Sequence, residues 1–322
     1  MHYYITGCNG LVGSYIARKL LENGATVSAL KRKDSDLSYI NDISDQIKWH
    51  EGDILDVLSL EAGIKEADYV IHCAGMVSFL QADFAKMFKV NVEGTANVVN
   101  TCLKYTGKKL LYISSIAALG NTILPEIINE TKQWDNSAMN SKYGLTKFMG
   151  EEEVWRGNAE GLDVIVINPS VVLGRGNWKK SSLTMFDYIS TEPLFYPEGN
   201  VNYVDVRDLA DLVMQLIDQQ VLNEKFIASA GCISYKDMLE QISLKLNKRP
   251  PKYKLNNFFA FTALTTGKIK GFFTGQSSTV SKELIKNSKR MTQYSNEKIK
   301  KNLSFTFRNL DTTLDWIANS VN

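Results

Sequence analysis

Residues 4–20 read YITGCNGLVGSYIARKL, and the fold turns on how this stretch is read. A strand-like apolar run breaks after Thr6 into three glycines, Gly7, Gly10 and Gly13, then resumes with helical spacing. A strand that delivers Thr6 to a tight turn, followed by a helix starting near Gly10, aims unpaired backbone N–H groups at a helix N-terminus. A pyrophosphate is stabilised there by the dipole and by those donors. On this reading Gly7 serves the turn, Gly10 the close approach of phosphate, and Gly13 the packing of helix on strand. The spacing is one residue longer in its first gap than the common dinucleotide fingerprint, so context carries the weight. A strand precedes the motif, a helix follows, and a second strand, ATVSAL, starts directly after the Asn23-Gly24 helix stop.

Outward from this motif, strand-like runs alternate with longer helical patterns through IKWHEG, YVIHCA, KLLYIS and DVIVINPS. That alternation predicts an α/β fold, a doubly wound parallel sheet with helices on both faces. Regularity holds to about Pro169 and then loosens, so residues 1–173 are expected to form the dinucleotide-binding domain. VDVRDLADLV and EKFIASAG read as a helix and a strand that return to it over 204–230. Segments 174–203 and 232–295 are expected to form a smaller, discontinuous substrate subdomain, and 296–322 a C-terminal segment.

The 322 residues are 44% hydrophobic with a formal net charge of +2, which sets up no field for nucleic acid or an anionic membrane. Cys8, Cys73, Cys102 and Cys232 show no metal-ligand spacing, and His2, His50 and His72 read as strand histidines, so no metal is expected. The chain opens on MHYYITG with no basic, apolar leader, and a reducing, cytoplasmic setting is expected. No apolar run reaches the roughly 20 residues a membrane span needs; the best candidate, residues 256–273, is cut by Lys268 and Lys270. EEEV, with Glu151 to Glu153, reads as a solvated helix face, and Phe258, Phe259, Phe261, Phe272 and Phe273 read as core or lid packing.

The chemical signal is SKYGLTKFMGEEEV, where Tyr143 and Lys147 stand four apart and share a helical face. Upstream, LYISSIAALG offers Ser114 or Ser115 at the carboxyl edge of the sheet, where ligands of such folds bind. A serine, a tyrosine and a lysine around a nicotinamide make a proton-transfer site. The ammonium is expected to lower the phenol pKa toward neutrality.

With these residues in place the chain resembles the extended branch of the short-chain dehydrogenase/reductase family. TGCNGLVG is similar to that branch's T-G-x-x-G-x-x-G and YGLTK to its Y-x-x-x-K. The resemblance implies Tyr143 as general acid/base, Lys147 as its partner and ribose ligand, and Ser115, five residues before Gly120, as donor to the substrate oxygen. It further implies cofactor contacts from Thr6, Gly7, Asn9, Gly10, Leu11, Val12 and Gly13. Asp53 and Ile54 of GDILD, Ala74 and Gly75 of HCAG, Asn91 of NVEGTANVV, and Pro169 and Val171 of INPSVV complete the implied set.

Departures narrow the class. Ile116 and Ala117 stand where dehydratases of this fold carry an Asp-Glu pair, and Asn200, Val201 and Asn202 stand where nucleotide-sugar epimerases carry an arginine for the diphosphate, although Arg175 offers a substitute. VIVINPSVVLGRGN resembles the pattern of dihydroflavonol and cinnamoyl-CoA reductases. The expected activity is therefore an NADP-dependent hydride transfer to or from a small carbonyl or alcohol substrate. An epimerase with tightly bound NAD is the alternative, and a non-catalytic nucleotide-binding regulator ranks below it. A homodimer stays open as the assembly. NADP is favoured over NAD because the second strand, ending at Leu30, meets Lys31, Arg32 and Lys33 before any carboxylate; Arg32 is the expected contact to the 2′-phosphate.

Overall fold

The computed structural model describes residues 1–120, 126–135, 137, 140–178, 181–255 and 291–319. With strands numbered in chain order, β1 (His2–Thr6), β2 (Thr26–Lys31), β3 (Lys48–Glu51), β4 (Tyr69–His72), β5 (Lys109–Ile113), β7 (Asp163–Pro169) and β11 (Glu224–Ala228) make one seven-stranded sheet. Its order is β11-β7-β5-β4-β1-β2-β3, and every neighbouring pair is parallel. This is the doubly wound sheet read from the alternating pattern.

Successive residues of these strands point to opposite faces, and both faces are covered. Ile5, Leu111, Ile165 and Phe226 pack against α1 (Leu11–Glu22) and α7 (Val206–Asp218). Tyr4, Leu110, Tyr112 and Val164 pack on the other side against α2 (Val57–Glu66), α4 (Gly94–Lys104) and α5 (Lys142–Ala159). Burial on two faces explains why the strands read as near-continuous apolar runs. The short α3 (Phe84–Phe88) leads through a π-helical turn at Lys89–Glu93 into α4.

A second, three-stranded sheet joins β8 (Val171–Leu173), β10 (Asn200–Asp205) and β12 (Gly231–Ser234) in the order β12-β10-β8. It shares a separate core with α6 (Thr184–Ser190), α8 (Tyr235–Lys245) and a helix at Leu310–Ala318, centred on Phe186, Ile189, Leu239, Ile242 and Leu314. Two pairs of two-residue strands, β6 (Ile127–Ile128) with β14 (Gln293–Tyr294) and β9 (Phe195–Tyr196) with β13 (Tyr253–Lys254), tie loops to this unit.

The sheet pairings divide the chain differently from the expected boundaries in two places. Val171–Leu173, expected within the first domain, pairs with β10 in the second sheet. Pro169 brings no N–H to a ladder, and the chain holds to the main sheet only until the Ser170 N–H donates to the Ala228 carbonyl at 3.0 Å. The segment 296–322 is divided as well: Ile299 and Leu303 of the helix Glu297–Leu303 join the main core, while Leu310–Ala318 joins the second. The apolar segment 256–273 and its five phenylalanines lie outside the described residues. Among the described residues no helix is long and apolar enough to cross a membrane.

Candidate active site and cofactor cradle

The carboxyl ends of β1, β4, β5 and β7 open into a cleft of about 650 Å³, closed on its far side by the second unit. At the floor lies the turn after β1. Gly7 has φ +71°, a conformation that favours glycine, and a Cβ there would stand 2.6 Å from the Ala74 backbone. A Cβ on Gly13 would meet the Gly7 carbonyl at 2.3 Å, so α1 rests directly on the turn. Gly10 caps α1 without any side-chain hydrogen bond, leaving the first-turn N–H groups to a ligand. Gly7, Gly10, Leu11, Val12, Gly13, Gly75, Pro169 and Val171 all line the cleft. A dinucleotide fits this floor: the glycines keep its space clear, and the helix N-terminus supplies donors and dipole for a pyrophosphate.

Tyr143 and Lys147, also expected at the cofactor, line the cleft as well, whereas Thr6, Asn9, Arg32, Asp53, Ile54, Ala74 and Asn91 do not. Thr6 Oγ1 is 2.6 Å from His72 Nδ1, and Asn9 Nδ2 donates to the Asp36 carbonyl at 3.0 Å, which shapes the loop after β2. Asp53 Oδ1 accepts from the Leu55 N–H, and Ile54 is buried with its side chain filling the space left by Gly94. Ala74 N–H points to Thr6 Oγ1 at 3.4 Å. Asn91 sits on the π turn, where its side chain accepts from the Met76 N–H at 2.7 Å and donates to the Met76 carbonyl and to Thr146 Oγ1. π turns of this kind recur at functional sites, and this one pins the loop after β4 to α5. β2 runs one residue past Leu30 to Lys31, and Arg32 follows, exposed, with no ion pair to a described residue.

Ser115, Tyr143 and Lys147 meet on the cleft wall. The chain leaves β5 at Ser114, so the two serines diverge: Ser114 Oγ donates to Glu151 at 2.6 Å, while Ser115 caps the next turn through the Ala117 N–H and hydrogen-bonds Tyr143. Ser141 caps α5 through the Gly144 N–H, which sets the rotation that brings Tyr143 and Lys147 inward. Gly150, whose Cβ would lie 2.3 Å from the Asn91 carbonyl, lets α5 approach closely. Lys147 Nζ donates to Tyr112 Oη at 2.8 Å and to the Ile113 carbonyl at 3.0 Å.

The electrostatics correct one expectation. The Tyr143 phenol is not lowered by Lys147: burial pushes it up, and the Ser115 hydrogen bond only partly opposes that. The reason is geometric, because the Lys147 ammonium is turned to Tyr112 and the β5 carbonyl. Burial pushes Lys147 itself down to about 8, with Glu151 acting against the shift. A second correction concerns the EEEV face. Glu152 is exposed and Glu153 pairs with Arg156, but Glu151 is 4% exposed and bound on both oxygens. Glu151 lies on the Tyr143 and Lys147 stripe of α5, which turns inward.

His72, between Thr6 and Thr95 and stacked on Tyr112, is pushed down to about 3 by burial and is neutral. All four cysteines are free thiols, and no cluster able to hold a metal exists among the described residues. Sequence reasoning missed Phe79, which comes from the loop after β4 and lies edge-on to Tyr143 at 6.1 Å, and, on the second unit's side, Met185, Tyr235 and Tyr294 from scattered segments. No spacing in the sequence links them, since each arrives from a different element.

The family model described as NAD dependent epimerase/dehydratase family matches residues 3–227. Similar proteins include sterol demethylase protein B of Methylococcus capsulatus, 25% identical over 70% of this chain and 68% of its own length. Cinnamoyl-CoA reductase 1 of Petunia hybrida is 26% identical over 74% of this chain and 75% of its own. The crystal structure of gox2253 superposes with a TM-score of 0.82 at 27% identity, covering 98% of this chain and 96% of that one.

Proposed function

The chain belongs to the NAD dependent epimerase/dehydratase family, and from that premise we propose that it is an NADP-dependent reductase interconverting a carbonyl and an alcohol on a small organic substrate. The observation that carries this reading is the charge of the cleft. Among the described residues lining it, Lys147 is the one cation and Asp83 the one carboxylate. A nucleotide-sugar brings a diphosphate that needs cationic partners, and the arginines nearest in sequence to the second sheet are committed elsewhere. Arg175 Nε donates to the Trp316 carbonyl at 2.7 Å and its guanidinium lies 4.7 Å from that indole. Arg207 pairs with Asp205 and covers the same ring at 3.8 Å. This weighs against the epimerase alternative.

The bound dinucleotide, its pyrophosphate held by the Gly7 to Gly13 floor and its nicotinamide end by Pro169 and Val171, would supply or accept the hydride. Tyr143, kept protonated by burial, donates its phenolic proton to the oxygen of the reduced carbon. Ser115, already hydrogen-bonded to that phenol, holds the same oxygen in place. An ammonium has three N–H groups, and two of Lys147's go to Tyr112 and Ile113; the third is left for a ribose hydroxyl. Exposed Arg32, beyond the end of β2, supports NADP over NAD by offering a planar fork to the 2′-phosphate.

A carbonyl panel assayed for NADPH consumption, run beside a panel of nucleotide-sugars without added cofactor, tests the reading. Turnover of carbonyls alone is expected, and interconversion of a nucleotide-sugar would overturn it. NADP should bind more tightly than NAD, and Arg32→Ala should weaken NADP about tenfold while leaving NAD unchanged. A wild-type preference for NAD would refute the cofactor assignment.

A further inference from the structure

Tyr143, Lys147 and Glu151 follow one another at four-residue spacing on the inward stripe of α5. Glu151 does not line the cleft and is buried, with 4% of its surface exposed. Its Oε2 accepts from Ser114 Oγ at 2.6 Å and from Asn168 Nδ2 at 2.7 Å, and its Oε1 lies 3.2 Å from Lys225 Nζ. These donors come from the end of β5, from β7 and from β11. Asn168 Nδ2 also donates to the Ser115 carbonyl at 3.0 Å. A buried carboxylate is costly unless its lone pairs are met by donors, and here the donors are the sheet ends that carry the site.

We propose that Glu151 is the positioning residue of this site: it sets a carboxylate one helical turn beyond Lys147 on the same inward stripe, and its hydrogen bonds fix the point where Ser115 leaves β5. The inference rests on Lys147 being the cation of the proton-transfer site proposed above. The groups facing Lys147 are His72 and Cys73 at the end of β4, Tyr112 on β5, and Tyr143 and Glu151 on α5, with Lys225 of β11 on the far side of Glu151. His72 is neutral near pH 7 because burial pushes it down, and Cys73, Tyr112 and Tyr143 are neutral because burial pushes them up. Glu151, ion-paired with Lys225, is the carboxylate among them. Lys225 competes for the same carboxylate and dilutes its effect on Lys147.

This geometry predicts two variants of opposite sign. Glu151→Gln keeps an acceptor for Ser114 and Asn168 while removing the charge, and should move the titration of Lys147 down by about one pH unit. Lys225→Met, on the part-exposed edge strand, frees the carboxylate for Lys147 and should move it up. The readout is NMR of isotope-labelled lysine side chains across pH, with Lys147→Met identifying the signal. The alkaline limb of NADPH consumption by any active carbonyl of the panel should shift in the same two directions. A purely structural role for Glu151 would leave both readouts in place. Unchanged titration in both variants, or shifts of the same sign, would overturn the proposal; if Glu151→Gln does not fold, Lys225→Met alone decides. Wild-type turnover in Tyr143→Phe would instead sink the proton-transfer reading, while the lysine titration still judges Glu151.

Discussion

On the sheet side of the cleft the wall is backbone: Gly7 and Gly75 just beyond strand ends and Gly10 and Gly13 at the start of α1, with Tyr143 and Lys147 on one stripe of one helix. The rest of the lining is side chain: Phe79 from the loop after β4, beside Tyr143, and Met185, Tyr235 and Tyr294 from the second unit's side, each from a different segment. The first wall binds what is common to all nucleotides and needs fixed spacing along the chain. The second has only to match one substrate, and its residues are related by packing alone. The contrast implies that damage to the first wall should appear in kcat, folding and cofactor affinity, and damage to the second mainly in KM.

The largest effect that would sharpen this contrast is Tyr143→Phe, which should lower kcat by about 10²-fold or more with NADPH affinity nearly intact. Stopped-flow turnover and fluorescence titration check it, and a change confined to KM would erase the distinction between the walls. Gly13→Ala comes next. Its Cβ meets the Gly7 carbonyl at 2.3 Å, and forcing such overlap costs about 1–3 kcal/mol. Urea unfolding should show the loss together with weakened NADP binding, whereas full stability would mean that α1 can slide off the turn.

His72 gives a pH signature to the same wall. Its folded pKa is depressed to about 3 from 6.5, so between these values the unfolded chain binds a proton that the folded chain refuses. Stability should therefore fall as the pH drops through that window, with a slope of up to about 1.4 kcal/mol per unit from this group. Urea midpoints from pH 7 to 4, compared with His72→Gln, measure the term; an equal slope in the variant would assign the acid loss elsewhere. The smallest expected effect lies on the side-chain lining. Phe79→Leu should raise KM for a turned-over carbonyl by a few-fold, about 1 kcal/mol or less, and leave NADP affinity alone. A fall in kcat as large as that of Tyr143→Phe would show that the edge contact with the phenol matters to chemistry.

The same contrast explains what the sequence discloses. The parallel sheet and the glycine floor are legible because each depends on local periodicity or on a spacing within a few residues. The choice of Ser115 over Ser114 was open from alternation alone, and the structure separates them by turning Ser114 into Glu151. Glu151 reads as surface because EEEV is a run of charges, and only the approach of β7 and β11 makes its position interior. The upward shift of Tyr143 was likewise illegible. It depends on how deeply the phenol is enclosed and on where Lys147 directs its N–H groups, and both are set by packing distant in sequence.

One consequence of the strand order concerns time rather than chemistry. β1 to β5 are laid down by successive shorter crossovers, whereas β7 and β11 are each reached after a connection of about 50 residues; β11 pairs only with β7, so it can close only after β7 has, and its connection runs through α6, β10 and α7. A long connection closes at greater entropic expense than a short one, and such pairings slow folding. β11, with the helix Glu297–Leu303 packed on it through Ile299, is therefore the last part of the sheet to be sealed. Lys225 arrives with that strand, so Glu151 acquires its final partner only when the edge closes, and a pulse of hydrogen exchange during refolding should label the amides of β11 long after those of β1 and β4 are protected.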